Sequence, residues 1–427
     1  MTAGLLGFAA LTVLIALQMP IGIAMILVGG VGIWWIGGLD LLAFAVGTAP
    51  FEATYPYALS VLPLFVMMGV FATHSGISRK LFNSANAVVG HFRGGLGMAT
   101  IGACAGFGAI CGSSLATSAT MARIAIPEMQ RHNYDMRLAA GAVAAGGTIG
   151  IMIPPSLALA MYGILTQTSI GSLYMAAILP GILGAILYAL AVASVVLRDP
   201  AAGPRGEGIT LLDRFKALVA TFDVVVLFTI ILGGMFGGFF SATEGAAIGV
   251  AGAMLIAFYR GMLTWKTFKG GLAETASTVG MLFMVLIGAK VFGFFIDMSG
   301  LPNAAVSYVR DLGWHWFSIL VLILVIYLVL GCILDGLAMM VITIPVVFPV
   351  IVLLGIDPIW FGILMVTVSE VGLISPPFGM NLFVVQAVRP EISYATLVRG
   401  VMPFIGADIV RIVLLVAFPA ISLFLVR

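Results

Sequence analysis

The chain has very few charged residues. Lys and Arg number 19 and Asp and Glu 17 among 427 residues, which is 8% of the sequence. Hydrophobic residues make up 62%, and the mean hydropathy is +1.21. So few charges cannot cover the surface of a water-soluble protein of this size. The net charge of +2 is too small to indicate a partner such as nucleic acid.

Cysteine and nucleotide-binding motifs are also scarce. Cys104, Cys111 and Cys332 lie in apolar or Gly-rich stretches without a CxxC or Cys/His spacing, so neither a disulfide framework nor a zinc site is expected. A Walker A motif is absent, which argues against an ATPase acting alone. The first apolar run, 4–18, lacks a basic segment before it and a clear cleavage site after it. We therefore expect a retained helix rather than a signal peptide.

Long apolar runs dominate what is present. About 20 apolar residues span the hydrocarbon core of a bilayer. The sequence contains ten candidate segments, at 4–18, 20–38, 58–75, 139–166, 175–197, 219–240, 243–258, 274–298, 358–388 and 401–424. This pattern predicts an all-α polytopic membrane protein of about ten transmembrane helices.

A duplication explains the order of short motifs along the chain. The hydrophilic stretch RDPAAGPRGEG at 198–208 reads as a loop between two halves. Five motif pairs recur in the same order on either side of it, such as GIMIPP at 150–155 and GLISPP at 372–377. The sequence thus predicts a first repeat at 1–200, a cytoplasmic linker at 201–218 and a second repeat at 219–427.

Basic residues predict which loops face the cytoplasm. They cluster at 77–95, 128–138 and 198–216, so the segment 97–127 between two cytoplasmic loops must enter the membrane and return. The matching segment 316–350 then enters from the opposite face, because five spans per half invert the second repeat. Two inverted repeats with two re-entrant helical hairpins are typical of secondary transporters.

Polar residues gather at the two predicted hairpin turns. CGSSLATSAT at 111–120 carries five hydroxyls, and GCILDGL at 331–337 carries Asp335. Backbone groups freed by a turn inside the membrane need polar partners, and the same hydroxyls and carbonyls suit a hard cation such as Na⁺. Close helix packing is the alternative role for the serines, and helix capping is the alternative for Asp335.

Two long apolar segments are interrupted at matching positions. GGTIGIMIPPS at 146–156 and SEVGLISPPFGMN at 369–381 contain glycines and prolines that break a helix. Broken helices at equivalent places in two halves indicate a transport site, although simple structural kinks are the alternative. The predicted substrate-binding residues come from these two segments and the two turns: Ser113, Ser114, Thr117, Thr148, Pro154, Pro155, Asp335, Pro376, Pro377 and Asn381.

Other charges within the apolar segments have more ordinary explanations. Asp408 and Arg411 stand three residues apart and are expected to pair with each other. Glu244 is expected to cap the helix that follows it. Lys290 either extends to the interface, pairs with another helix or contacts substrate.

Several longer motifs resemble the large membrane subunit of tripartite ATP-independent periplasmic (TRAP) transporters. They are HFRGGLGMATIGACAGFGAICGSSLATSATMARIAIPEM, AAGGTIGIMIPPSLALAMYGILTQTSIGSLYMAAILPGIL, FFSATEGAAIGV and GLISPPFGMNLFVV, within a resemblance that runs from about residue 4 to residue 424. The resemblance implies an elevator-type importer of organic acids in the bacterial inner membrane, driven by Na⁺. It also implies two partners, a periplasmic substrate-binding protein and a small four-helix membrane subunit, here expected on a separate chain.

The resemblance further implies two Na⁺ sites. Carried over by motif, the first site takes residues from the first hairpin and the first broken helix: Cys111, Ser114, Gly150, Ile153 and Pro155. The second takes residues from the second hairpin and the second broken helix: Gly331, Gly372, Ser375 and Phe378. Cys111 and Ser375 stand where relatives often have serine and threonine.

Two other functions stay open at this point. A stand-alone Na⁺/dicarboxylate symporter with similar hairpins would work without a binding protein. An intramembrane enzyme using Asp335 or His74 belongs to a different class, but the sequence lacks an HExxH motif, paired aspartates and a Ser/Lys arrangement at catalytic spacing.

Overall fold

The computed structural model describes residues 1–206 and 210–427, and these residues are almost entirely helical. The helices of the first part are α1 Thr2–Ala16, α2 Ile21–Thr54, α3 Val61–His74, α4 Ile77–Val89, α5 Gly95–Cys111, α6 Ser114–Arg131, α7 Met136–Met152, α8 Leu157–Thr166 and α9 Ile170–Arg198. The helices of the second part are α10 Leu211–Val219, α11 Phe222–Phe236, α12 Ala242–Tyr259, α13 Trp265–Met298, α14 Leu301–Leu312, α15 Trp316–Ile333, α16 Gly336–Leu353, α17 Pro358–Ile374, α18 Met380–Val388, α19 Tyr394–Ala417 and α20 Ala420–Leu423.

The lengths and composition of these helices confirm a polytopic helical membrane protein. Eight described helices are long and apolar enough to cross a membrane, or up to ten if each of two bent pairs counts as one span. The bent pairs are α7–α8, with an angle of 41°, and α10–α11, with an angle of 48°. A helix satisfies its own backbone groups, which is why this architecture suits a chain in lipid.

Some predicted boundaries differ from the observed ones. Helix α2 continues to Thr54 through a break at Gly38 (φ 77°), although the predicted span ended at residue 38. Helix α13 begins at Trp265 rather than at 274, and α19 covers Tyr394–Ala417 rather than 401–424. Hydropathy locates the apolar centre of a helix, whereas its ends depend on caps and on packing. Of the predicted linker, residues 207–209 lie outside the described residues, and its later part belongs to α10.

Helices α2 and α13 pack side by side along much of their length. At Gly22 a Cβ atom would lie 2.6 Å from the carbonyl oxygen of Met284, and at Gly29 it would lie 2.9 Å from the Cα of Phe292. Small residues allow such close approach between helices in a membrane, where dispersion contacts rather than the hydrophobic effect hold helices together. Helix α3 packs against both α12 and α13, which connects these four helices.

The order of elements after α3 recurs after α13. Helices α4 and α14 each follow a glycine with positive φ, Gly76 and Gly300. In both parts there follow two helices with a short break, then two more helices with a cis Pro–Pro bond between them, and then a long helix. The motif pairs at 150–155 and 372–377 fall at the same place in this order, and the duplication itself stays a prediction.

Helices α5 and α6 form a hairpin, and so do α15 and α16. The Tyr134 hydroxyl, just after α6, accepts a hydrogen bond from the backbone N–H of Leu96 at the start of α5 (3.2 Å) and donates to the carbonyl of Pro204 (2.9 Å). The hydroxyls of Tyr327 on α15 and Thr343 on α16 lie 2.7 Å apart. The two helices of each pair are connected at the turn and also by these hydrogen bonds away from the turn. They therefore lie antiparallel to each other.

Candidate functional site

A cavity of about 300 Å³ lies where the two hairpin turns meet the first broken helix. We call it the hairpin cavity. One side is formed by α3 and α13, and the other by the α5–α6 turn, the α7–α8 break, the α15–α16 turn and α17. Five of the predicted site residues line it: Cys111, Ser113, Ser114, Pro155 and Asp335. Its volume is at the lower end of the range for small-molecule sites.

The first turns of α6 and α8 line the hairpin cavity, and we call them the amide wall. Ser113 caps α6 by accepting a hydrogen bond from the N–H of Ala116 (3.3 Å), and Ser156 caps α8 by accepting from Leu159 (3.3 Å). The two turns are adjacent, since a Cβ at Gly112 would lie 3.6 Å from the Cβ of Leu157. Helix N-termini carry free N–H groups and partial positive charge, so this wall favours an anion.

Pairs of glycines bring each hairpin against its broken helix. A Cβ at Gly108 on α5 would lie 2.5 Å from the Cα of Gly150 on α7. A Cβ at Gly372 on α17 would lie 2.5 Å from the carbonyl carbon of Gly331 on α15. The predicted residues Gly150, Gly331 and Gly372 therefore hold the two hairpins in place by backbone contact, and none of the three lines the cavity.

Polar atoms behind the first hairpin turn are buried without partners. The Asn381 amide on α18 donates to the Ser114 hydroxyl (2.6 Å) and to the carbonyl of Ala144 (3.1 Å), while its Oδ1 atom has no hydrogen-bond partner. The hydroxyl oxygen of Ser118 is also without a partner, and it lies where a Cβ at Gly147 would be. Buried polar oxygens are normally satisfied. Oxygen donors of this kind fit a small hard cation such as the Na⁺ predicted for the first site.

The remaining predicted residues of the first hairpin and the first broken helix lie behind the cavity. Thr117 donates to the carbonyl of Ser113 and Thr148 donates to the carbonyl of Ala145, each at 2.8 Å. Both threonines are fully buried. Ile153 and Pro154 belong to the loop between α7 and α8, and neither they nor the two threonines line the cavity.

The second broken helix presents its loop away from the hairpin cavity. The Ser375 hydroxyl donates to the carbonyl of Val371 (2.7 Å). The Tyr394 hydroxyl contacts the carbonyls of Pro377 (2.7 Å) and Phe378 (3.1 Å). Pro376 is half-buried, whereas Pro377 and Phe378 are exposed. Oxygen atoms are available here for the second predicted Na⁺ site, but among the described residues no unpartnered buried oxygen marks it as it does the first.

A network of buried charged side chains lies next to the cavity, and the sequence predicted only the Asp408–Arg411 pair within it. Arg411 donates to Glu370 on α17 (2.5 Å) and lies 3.3 Å from Asp408, to which the hydroxyl of Tyr188 on α9 also donates (2.5 Å). All four side chains are buried. The predicted Asp408–Arg411 pair is therefore one part of a larger group. Glu370 also lines the cavity, although it is not among the predicted site residues. A single acidic residue within an apolar segment is the sequence feature that could have indicated it.

The α3–α13 side of the cavity carries a further acidic residue. Glu274 on α13 lines the cavity, and its Oε2 atom lies 3.1 Å from Nε2 of His74 at the end of α3. Glu274, Asp335 and Glu370 are thus its three acidic lining residues, and Lys, Arg and His are absent from the described residues that line it. No group of three or more His, Cys, Asp or Glu side chains in the described part of the chain is arranged to hold a metal ion.

Two other intramembrane charges have structural partners. Lys290 lies 3.9 Å from Glu52 on α2, and both side chains are about half exposed. Glu244 forms a reciprocal capping box with Ser241, as its position predicts. Lys290 therefore belongs to the helix pair α2–α13 rather than to the cavity.

Comparisons with known proteins agree with this architecture. The family model described as "Tripartite ATP-independent periplasmic transporter, DctM component" matches residues 8–421. The C4-dicarboxylate TRAP transporter large permease protein DctM of Pseudomonas aeruginosa is 36% identical over 376 residues, 87% of each chain. The sialic acid TRAP transporter large permease protein SiaM of Vibrio cholerae is 32% identical over 374 residues, 86% of each chain.

A solved structure shares the fold. The crystal structure of the YdaH transporter of Alcanivorax borkumensis superposes with a TM-score of 0.62 over 90% of each chain. Its sequence identity to this chain is 14%, so the likeness concerns the fold alone.

Proposed function

The chain belongs to the DctM family, the large permease component of tripartite ATP-independent periplasmic transporters, and on this premise we propose that it imports a small organic anion together with Na⁺. It is a multi-pass membrane protein. In the proposed complex it is the membrane path, and the substrate arrives from a periplasmic binding protein. Relatives named as C4-dicarboxylate and sialic acid permeases support an organic acid as the cargo.

The observation that carries the proposal is the amide wall of the hairpin cavity. Two helix N-termini, at Ser113–Ser114 and at Ser156–Leu157, meet in a site with no basic side chain among its described lining residues. In a membrane, half-helix N-termini are a means of binding a carboxylate without burying a full positive charge. The carboxylate of the substrate is proposed to bind there.

Co-binding of a cation follows from the charges around the cavity. An anion placed beside Asp335 and Glu370 meets like charge, which is unfavourable at low dielectric. Na⁺ bound behind the first hairpin turn, near Ser114 and the unpartnered Oδ1 of Asn381, would offset this repulsion. Substrate and cation would then stabilise each other's binding, which is the thermodynamic requirement for coupled transport.

An elevator movement is proposed for alternating access. The cavity is closed on one side by α3 and α13 and on the other by the hairpins and broken helices. Gly69 on α3 faces the first hairpin turn, because a Cβ there would lie 2.7 Å from the carbonyl oxygen of Cys111. Small residues at this contact would let the hairpins slide past α3 and α13 with the substrate enclosed, as rigid-body motion in repeat-based transporters requires.

Two partners and a location complete the proposal. A small four-helix membrane subunit on a separate chain would pack against the lipid-facing helices, and a periplasmic binding protein would deliver the substrate. The chain would lie in the bacterial inner membrane with its basic loops in the cytoplasm.

Uptake into proteoliposomes tests the proposal. The permease is reconstituted with the small subunit, the binding protein and the organic acid that this binding protein retains in a thermal-shift screen. We expect uptake only with an inward Na⁺ gradient and with all three proteins. Uptake without the binding protein and small subunit would instead identify a stand-alone symporter.

Two serine substitutions test the cation sites. We expect Ser114→Ala and Ser375→Ala to raise the Na⁺ concentration needed for half-maximal uptake while leaving the amount of folded protein unchanged. Ser194→Ala is the matched control, because the Ser194 hydroxyl donates to a carbonyl of its own helix (2.8 Å), as that of Ser375 does, but lies on α9, outside the predicted sites. An unchanged Na⁺ dependence in both test variants would contradict the assignment.

A further inference from the structure

The hairpin cavity combines two kinds of wall, and the second has no role in binding a carboxylate. The amide wall at α6 and α8 attracts negative charge. Asp335 and Glu370 line the cavity next to the amide wall, and we call these two carboxylates the acidic wall, while Glu274 on α13 lines the cavity from the opposite side. Carboxylates accept hydrogen bonds and, when ionised, donate none. A ligand that fills the cavity therefore meets donors at one wall and acceptors at the other.

Asp335 lies close to the first-turn N–H groups of α16 at Gly336, Leu337 and Ala338, but a carboxylate has about four acceptor sites and can also accept from a ligand. Asp335 occupies the N-cap position of α16, yet its side chain makes no capping hydrogen bond of good geometry. The N-cap aspartates Asp135 and Asp357 do accept hydrogen bonds from the first turns of their helices. The N-terminus of α16 has a partial charge of about half a unit, so an ionised Asp335 leaves this end of the cavity negative.

Glu370 supplies a second, fully buried acceptor on the acidic wall. Its Oε2 atom pairs with Arg411, while its Oε1 atom is buried and has no hydrogen-bond partner. The second hairpin brings Asp335 to the same side, because a Cβ at the adjoining Gly336 would lie 3.5 Å from the Cβ of Ser369. A buried acceptor without a donor is unfavourable unless a ligand supplies the donor.

We propose that the hairpin cavity selects a monocarboxylic acid whose far end carries hydroxyl or ammonium donors, with the carboxylate at the amide wall and the donors on Asp335 and Glu370. This inference rests on the proposed function and narrows its substrate class. A linear dicarboxylate would place its second negative charge against the acidic wall, where like charges oppose binding. A sugar acid, a hydroxy acid or an amino acid would satisfy both walls.

Two pairs of acids that differ only in the terminal group test this inference. The pairs are 4-hydroxybutyrate with succinate, and gluconate with glucarate. Binding of each acid to the full-length permease in nanodiscs is measured at several Na⁺ concentrations from the ligand-dependent shift in thermal unfolding. We expect the hydroxyl-ended acid of at least one pair to bind about tenfold or more tightly than its carboxylate-ended partner, since a site built for a donor rejects a ligand that lacks it.

Asp335→Asn should reduce that preference to less than about threefold or reverse it, because an amide also donates to a carboxylate. Asp357→Asn is the matched control, since Asp357 does cap its helix, and it should lower stability without altering the preference. If Asp335→Asn does not fold, Glu274→Gln serves instead, because Glu274 is more than half exposed and adds negative charge to the same cavity from α13.

The outcomes separate this inference from the proposed function. Na⁺-dependent binding in which the dicarboxylates equal or exceed their hydroxyl-ended partners overturns the inference and leaves the proposed function standing. A preference unchanged by Asp335→Asn also overturns it. Absence of Na⁺-dependent binding by all four acids would contradict both.

Discussion

The buried network of α9, α17 and α19 gives the sharpest prediction about stability. Arg411 lies between Glu370 and Asp408, and the three side chains are at most 1% exposed. Arg411→Met keeps most of the volume of the side chain and removes its charge. Both carboxylates would then be buried with no opposite charge beside them, and Asp408 would keep only its hydrogen bond from Tyr188.

The loss of stability expected for Arg411→Met follows from the general behaviour of buried ion pairs. Removing one partner of such a pair typically destabilises a protein by about 3–5 kcal/mol, because the remaining charge stays desolvated. Two carboxylates depend on this one guanidinium, so we expect the upper part of that range. Exposed pairs contribute about 0–1 kcal/mol, because water and salt screen them.

Equilibrium unfolding in mixed micelles, followed by tryptophan fluorescence, measures this free energy. The chain offers a matched control in Arg131→Met. Arg131 also pairs three residues away, with Glu128 at 3.4 Å, but its side chain is 79% exposed. We expect this control to change the free energy of unfolding by less than about 1 kcal/mol.

A second variant separates charge from packing. Arg411→Met combined with Glu370→Gln and Asp408→Asn removes all charges of the network and should recover more than half of the lost stability, since neutral replacement of a buried ion group is tolerated better than breaking it. The reasoning would be refuted if Arg411→Met alone cost no more than the exposed control, or if the neutral triple variant were less stable than the single one.

Two further predictions concern backbone contact and pH. Gly150→Ala should destabilise the protein by more than about 2 kcal/mol, because the added Cβ would overlap Gly108. Gly280→Ala has nothing within 4 Å of the added Cβ and should stabilise the protein by about 0.5–1 kcal/mol. Thermal unfolding compares the two variants, and equal effects would contradict the close contact between Gly150 and Gly108. Outside the membrane, hydrogen bonds from Arg137 hold the pKa of Asp135 below its usual range. The stabilisation from this lowered pKa is present above the usual carboxyl pKa and is lost as the pH falls through the lowered pKa of Asp135. Arg137→Gln should therefore lower the thermal unfolding midpoint at pH 7 and have little effect near pH 2. An equal loss at both pH values would exclude a link between the ionisation of Asp135 and stability.

Local chemistry made the helix breaks predictable. The interruptions at Gly112–Ser113, at 153–156 and at 375–379 fall within the Gly-, Ser- and Pro-rich motifs that predict them. Proline removes a backbone donor and glycine permits positive φ, and both effects act within a few residues. Hydropathy likewise predicted an all-helical membrane protein. A chain in lipid must satisfy its backbone hydrogen bonds internally, and whether a segment is apolar enough to lie in lipid depends on its composition alone.

Contacts between distant residues were not predictable in this way. Glu370 and Tyr188 lie 41 and 220 residues from their partners Arg411 and Asp408. Asn381 reaches Ser114 across 267 residues. The continuation of α2 to Thr54 also escaped prediction; in this part of the helix Glu52 lies 3.9 Å from Lys290 on α13.

The sequence by itself determined the class of molecule, the places where its helices break and the family to which it belongs, because hydropathy, proline, glycine and motif order are properties of consecutive residues. Only the tertiary structure decided that two helix N-termini and three carboxylates share one cavity of about 300 Å³. The physical reason is that a hydrogen bond or a charge acts over a few ångströms of space, and the fold alone sets which distant residues come that close.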